Sequence, residues 1–115
     1  MATLKAGQHE LVFTRKVNEL IAEDSKFAKF VYSSILRFNR GDWGDISDSS
    51  KLLNDETVES LNNGGWYGLV QGIYHLVSFD WDLTQKTKGN PIWIIRSTGK
   101  EDGTQVITVA FPSEY

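Results

Sequence analysis

The sequence predicts an α+β fold in which N-terminal helices pack on a C-terminal antiparallel sheet of three to four strands. Apolar residues recur at helical spacing up to about residue 62, whereas β-branched and aromatic residues dominate from Trp66 onward. Helices that precede antiparallel strands are typical of two-layer α+β proteins. At 115 residues and 13.0 kDa the chain is expected to form a single domain over residues 1–115 with one core.

The N-terminal stretch predicts a short strand followed by a short helix. We expect residues 1–8 to form a flexible arm, and the apolar run at residues 11–13 to form a strand. Thr14 or Asn18 is expected to cap a brief helix that ends near residue 22.

A longer helix is predicted from Asp24 or Ser25 to about residue 39, because either side chain is a good N-terminal cap. Its apolar residues fall at helical spacing and form a wide stripe, which predicts core packing. The stripe consists of Phe27, Phe30, Val31, Ile35 and Phe38.

Residues 40–45, with the sequence Arg-Gly-Asp-Trp-Gly-Asp, separate two helical segments, and we call them the elbow. Gly41 and Gly44 allow backbone angles that are closed to other residues. Asp42 and Asp45 can accept hydrogen bonds from nearby backbone N–H groups or present charge outward. Trp43 is expected to be buried and to fix the elbow to the core.

A third helix is predicted over residues 48–62, with Ser47 as its cap and a left-handed stop at residues 62–65. Its apolar face is predicted to consist of Leu52, Leu53, Val58 and Leu61. Its outer face is then predicted to carry Asp55, Glu56 and Glu59.

The C-terminal half predicts the strands of the sheet. Residues 66–79 are interpreted as one long strand with a bulge or as two short strands, and residues 80–90 as a polar loop. Further strands are predicted at residues 92–96 and 105–111. The Asp-Gly pair at residues 102–103 predicts a hairpin between them.

Charge is concentrated in residues 41–60, which hold six acids against Lys51 alone. Such a segment is either a solvated helix face or an acidic surface that docks on a basic, nucleic-acid-binding protein. On the second interpretation the partner-binding residues are Asp42, Trp43, Asp45, Asp48, Asp55, Glu56 and Glu59.

Several function classes are not expected. The chain has no cysteine, no G-x-S-x-G motif, no P-loop and no dinucleotide fingerprint, so we expect no enzyme. No apolar run approaches eighteen residues and residues 1–7 lack a signal-peptide core, so we expect a cytoplasmic protein with no membrane span. A pI near 5.3 argues against direct nucleic-acid binding.

Metal binding is the one cofactor chemistry that the residues leave open. Asp42 and Asp45, with His9 or His75, could hold a divalent ion through oxygen and nitrogen. Residues 80 and 82 form a second aspartate pair. The alternative, which we favour, is that each aspartate caps a helix or closes a turn.

The chain also resembles a family of small proteins carried by bacteria, plasmids and phages. The matching runs keep the family's order over nearly the whole chain, although members are usually shorter around residues 72–90. The runs are Phe13-Thr14-Arg15, Phe27-Ala28-Lys29-Phe30-Val31, Arg40-Gly41-Asp42-Trp43-Gly44-Asp45, Ile92-Trp93-Ile94-Ile95 and Phe111-Pro112-Ser113-Glu114-Tyr115.

Members of this family are often labelled plasmid-related proteins or type I restriction endonuclease M subunits. The second label conflicts with the sequence, because a DNA methyltransferase needs a Gly-rich cofactor fold and an Asn-Pro-Pro-aromatic turn. Here Asn90-Pro91-Ile92 lacks the second proline and the aromatic residue.

The resemblance implies a mobile-element accessory protein of the host bacterial cell. Small proteins from this setting include inhibitors of host defence, among them anti-CRISPR proteins. We therefore expect a non-enzymatic inhibitor that binds a host defence protein, with a CRISPR effector nuclease as the first candidate. The alternative is a metal-binding or DNA-handling accessory factor of a plasmid or phage.

Overall fold

The computed structural model describes residues 9–63, 68–75, 91–98 and 105–114. Predictions for residues 1–8, the 80–90 loop with its aspartate pair and the turn at 102–103 concern residues outside these ranges. In chain order the elements are β1 (His9–Phe13), α1 (Arg15–Glu23), α2 (Ser25–Asn39), α3 (Asp48–Asn62), β2 (Leu69–Tyr74), β3 (Ile92–Thr98), β4 (Gln105–Ala110) and a 3-10 turn at Pro112–Glu114. The predicted α+β class is confirmed.

Within the described residues, four strands form one mixed sheet in the order β1-β4-β3-β2. β3 lies antiparallel to both β2 and β4, as expected for the C-terminal strands. β1 confirms the strand predicted at residues 11–13, and it adds a parallel edge because it pairs with β4, with Leu11 opposite Ile107. The first and last of the described strands are therefore neighbours.

The helix starts follow the predicted caps in two of three cases. The Asp24 carboxylate accepts hydrogen bonds from the backbone N–H groups of Lys26 (2.9 Å) and Phe27 (3.2 Å) at the start of α2. The hydroxyl of Ser47 accepts from the N–H of Ser50 at the start of α3. Thr14 precedes α1 but makes no side-chain capping bond. Its hydroxyl lies 2.7 Å from Glu114 Oε1, to which it donates.

The helices and the elbow cover one face of the sheet. The wide stripe predicted for α2 is confirmed, because Phe27, Val31 and Phe38 are buried while Phe30 and Ile35 pack against the core. The other members of this core are Val17, Leu20, Trp43, Val58, Val70, Tyr74, Ile92, Ile94, Ile107, Val109 and Phe111. In the described part of the chain, no helix has both the length and the apolar content that a membrane crossing needs.

The predicted apolar face of α3 is only partly right, because Val58 is buried as predicted but two of its leucines are not. Leu52 and Leu53, expected in the core, are 60% and 63% exposed, and the buried residues of this helix are Asn54 and Val58. Asn54 tolerates burial because its amide nitrogen donates a 2.8 Å hydrogen bond to the Gln71 carbonyl of β2.

The predicted ending of α3 is also only partly met. The helix ends at Asn62, but the following residue, Asn63, has φ −99 and is not left-handed. The other half of the predicted stop, residues 64–65, lies outside the described ranges.

Candidate functional site

The elbow lies along the outer edge of β2 and is held there by backbone hydrogen bonds. The Ile73 N–H donates to the Trp43 carbonyl at 3.1 Å, and the Asp45 N–H donates to the Ile73 carbonyl at 2.8 Å. The chain can approach this closely because Gly41 and Gly44 adopt φ angles of 81° and 75°. The freedom predicted for these two glycines therefore lets the elbow pair with the edge strand β2 at Ile73.

Trp43 is the apolar anchor of the elbow, as predicted. Its side chain is 2% exposed, and its ring meets Phe38 edge-on with 5.2 Å between the ring centroids. The indole N–H donates a 2.9 Å hydrogen bond to Asp55 Oδ1. Asp55 is thus half-buried and turned toward the elbow, so its predicted place on the outer face of α3 is wrong.

Asp42 is occupied within the elbow. Its carboxylate takes two hydrogen bonds from Arg37, Nε to Oδ2 at 2.7 Å and Nη2 to Oδ1 at 3.2 Å, and a third from the Gly44 N–H. The Arg37 hydrogen bond holds the pKa of Asp42 below its usual value, and the same bond raises the pKa of Arg37. This is the turn-closing role that the sequence interpretation favoured for this aspartate.

Tyr74 supports this pair from the end of β2. Its ring lies 5.1 Å from the Arg37 guanidinium carbon, a cation–π distance, and its hydroxyl donates a 2.7 Å hydrogen bond to the Asp42 carbonyl. Burial raises the pKa of the Tyr74 hydroxyl, so it remains a donor throughout the physiological range. Arg37, Asp42 and Tyr74 therefore fix the elbow in place.

Asp45 faces solvent and meets His75, two of the four residues proposed to bind a metal. His75 Nε2 lies 3.0 Å from Asp45 Oδ2, and the two side chains are 47% and 77% exposed. The Asp42 carboxylate is directed to Arg37 instead, and the side chain of His9 lies outside the description. Among the described residues, no group of three or more histidine and acidic side chains could hold a metal ion.

The other exposed acids of residues 41–60 lie on one side of α3. We call this the α3 outer face, and it consists of Asp48, Leu52, Leu53, Glu56 and Glu59, all of them exposed. The sequence analysis predicted that its carboxylates would be exposed, but it predicted that its leucines would be buried. The spacing of Leu52 is the signal that could have placed it outside. It lies four residues from both Asp48 and Glu56 and so shares their side of the helix.

This arrangement offers negative charge and apolar contact area on a fixed helix. Carboxylates accept strong hydrogen bonds from Lys and Arg side chains. Exposed leucines beside them can be desolvated by a partner, and an apolar centre with a polar rim is the common arrangement of a protein interface. Comparison of the chain with protein-family models, curated proteins and solved structures finds no match.

Proposed function

We propose that this chain is a non-enzymatic mobile-element protein that binds and inhibits a host defence protein, with a CRISPR effector nuclease as the expected target. The observation that carries the proposal is the α3 outer face, where three exposed carboxylates surround two exposed leucines. The family resemblance supplies the host-defence setting.

Charge favours a protein partner over nucleic acid. Asp48, Glu56 and Glu59 would repel phosphate groups, whereas they would attract the Lys and Arg side chains of a nucleic-acid-binding channel. CRISPR effector nucleases hold their heteroduplex in such a positively charged channel. An acidic helix that occupies the channel would compete with nucleic acid without any chemical step.

Preorganisation also favours binding through α3. The helix is fixed at its start by the Ser47 cap and in its second turn by the Trp43–Asp55 hydrogen bond. A surface that is already ordered loses less conformational entropy when it binds. The carboxylates of the outer face can therefore bind a partner without the helix first having to become ordered.

Association kinetics with purified CRISPR effector nucleases test the proposal. Glu56→Gln with Glu59→Gln should slow association and reduce its dependence on salt, because electrostatic steering weakens with the charge removed. The matched control is Glu19→Gln with Glu23→Gln. It neutralises two exposed acids of α1 that lie four residues from each other. The proposal fails if no effector binds, or if the α1 and α3 variants behave alike.

A second candidate is a metal-binding accessory factor of a plasmid or phage, favoured by the Asp45–His75 pair. One carboxylate oxygen and one imidazole nitrogen at 3.0 Å are two ligands of the type that zinc accepts. Elemental analysis after dialysis against zinc tests this function. A stoichiometric zinc ion that is lost in His75→Gln and retained in Asp48→Asn would support the metal-binding function over the inhibitor. A wild-type protein that retains no zinc would contradict the metal-binding function.

A further inference from the structure

α2 carries an outer stripe that the proposed function does not use. The stripe consists of Lys29 and Leu36 on the helix and Arg40 at its C-terminal cap, all exposed, with Leu36 at 63% and Tyr32 beside it at 50% exposure. These residues lie on one side of the helix because the spacings of seven and four residues correspond to whole turns. α2 therefore presents cations around an apolar centre.

The same pattern occurs on the α3 outer face with opposite charge and in reverse order. Along α2 the order is Lys29, seven residues to Leu36, then four residues to Arg40. Along α3 the order is Asp48, four residues to Leu52, then seven residues to Glu59. At 1.5 Å per residue both stripes place one charge about 6 Å and the other about 10 Å from the central leucine.

We propose that a second copy of this chain docks with its α2 stripe antiparallel to the α3 outer face. An antiparallel alignment puts Leu36 against Leu52. It also puts Arg40 opposite Asp48 and Lys29 opposite Glu59. The two leucines lose water together and both charged pairs have opposite signs, so the two faces are complementary in charge and in apolar position.

The contact joins two different faces, so each copy offers one of each. Such an interface either closes into a symmetric assembly or extends from copy to copy. The inference does not depend on the proposed function, but both use the α3 outer face. Self-assembly and a bound target would consequently compete for it.

Sedimentation of the purified chain over a concentration series at low salt tests the contact. The wild type should associate, and added salt should weaken the association. Lys29→Glu with Arg40→Glu should weaken it at least about tenfold, since opposite charges become like charges. Asp48→Lys with Glu59→Lys should do the same from the other side.

Mixing the two charge-reversed variants is the decisive step. Each alone faces like charges, whereas the mixture restores the native pairing between the intact α3 of one and the intact α2 of the other. We expect the mixture to associate as the wild type does. Because a misfolded variant could not regain the contact on mixing, recovery also shows that both variants are folded.

The control is Arg15→Glu with Lys16→Glu, which makes the same change of net charge on exposed positions of α1 and should leave association unchanged. If a reversed variant melts well below the wild type, a neutral one replaces it: Lys29→Gln with Arg40→Gln on the α2 side, or Asp48→Asn with Glu59→Gln on the α3 side. The proposal is overturned if the wild type is monomeric at every concentration. It is equally overturned if the reversed variants associate like the wild type, or if their mixture fails to associate.

Discussion

The indole N–H of Trp43 and the carboxylate of Asp55 are joined by a 2.9 Å hydrogen bond that ties the elbow to α3. One partner is 2% exposed and the other half-buried, so the bond is shielded from competing water. Asp55 therefore differs from its acidic neighbours. Its carboxylate stabilises the fold, whereas Glu56 and Glu59 are exposed on the α3 outer face.

Trp43→Ala should lower the free energy of unfolding by about 3–5 kcal/mol, because it removes a buried indole from the core. Trp43→Phe should cost less, since it keeps an aromatic ring against Phe38 and loses mainly the hydrogen bond to Asp55. Denaturant titration of the three proteins measures both losses. Equal stability of Trp43→Ala and wild type would contradict the anchoring role.

Asp55→Ala should destabilise the protein by about 1–3 kcal/mol, because it leaves the buried indole N–H without an acceptor. Glu56→Ala is the matched control on the next residue, and it should change stability by no more than about 0.5 kcal/mol. Thermal unfolding distinguishes the two variants. Identical melting temperatures would show that the Trp43 bond contributes nothing.

Gly44→Ala should separate the elbow from β2. Gly44 has φ 75°, and an added Cβ would collide with the Ile73 carbonyl oxygen, a backbone atom that cannot turn away. Gly68→Ala is the milder comparison, because its Cβ would crowd a side-chain atom, the methyl group of Thr57 at 2.6 Å, and otherwise make ordinary contact with Leu61. Hydrogen exchange of the Ile73 and Asp45 amides should rise in Gly44→Ala far more than in Gly68→Ala, and equal protection would contradict the account.

The Arg37–Asp42 pair should make stability depend on acid. The pKa of Asp42 is lower in the folded protein than its ordinary value of 3.8, chiefly because of the Arg37 hydrogen bond. The unfolded chain therefore takes up this proton first, and the stabilisation present above about pH 4 is lost as pH falls through the folded pKa. Both side chains are 40% exposed, so the effect should be small, on the order of 1 kcal/mol.

Denaturant titrations at several pH values below neutrality measure this contribution. Asp42→Asn should flatten the acid limb of the stability curve but not abolish it, because the pKa of Glu114 is also lowered. Burial of Glu114 opposes that shift, and hydrogen bonds from the Thr14 hydroxyl and the Lys16 N–H outweigh it. An Asp42→Asn curve parallel to wild type would mean that the pair does not couple to folding.

Local chemistry made much of this fold predictable. Asp24 and Ser47 cap helices by hydrogen bonds to residues within three positions along the chain. Trp43 is buried because so large an apolar side chain is costly to leave in water. Each of these outcomes depends on nearby residues or on a single side chain. The sequence alone contains that information.

The misplaced side of α3 depended on partners far along the chain. Asn54 is buried because Gln71 accepts its amide, and Asp55 turns inward because Trp43 donates to it. Apolar periodicity placed Leu52 and Leu53 inside, since it cannot detect a polar residue that burial satisfies. The parallel pairing of β1 with β4 escaped prediction for the same reason, as it joins the two ends of the chain.

Within the site, sequence analysis identified the candidate aspartates and histidines but could not predict which of them pair. Both histidines were candidates for the elbow carboxylates, and only the fold brings His75 to Asp45. Asp42 and Asp45 are equivalent by composition, yet Arg37 engages one and leaves the other in solvent. Which carboxylate is available is therefore a property of the tertiary structure.

A plasmid-interference assay in a bacterial strain with active CRISPR immunity tests the central claim most directly. Expression of the wild-type protein should let a targeted plasmid establish. Glu56→Gln with Glu59→Gln should lose this protection while its melting temperature stays at or slightly above that of wild type, because both acids are exposed and lie outside the core. A wild type that gives no protection in any CRISPR type tested, or a neutralised variant that protects fully, would contradict the claim that the α3 outer face binds and inhibits an effector nuclease.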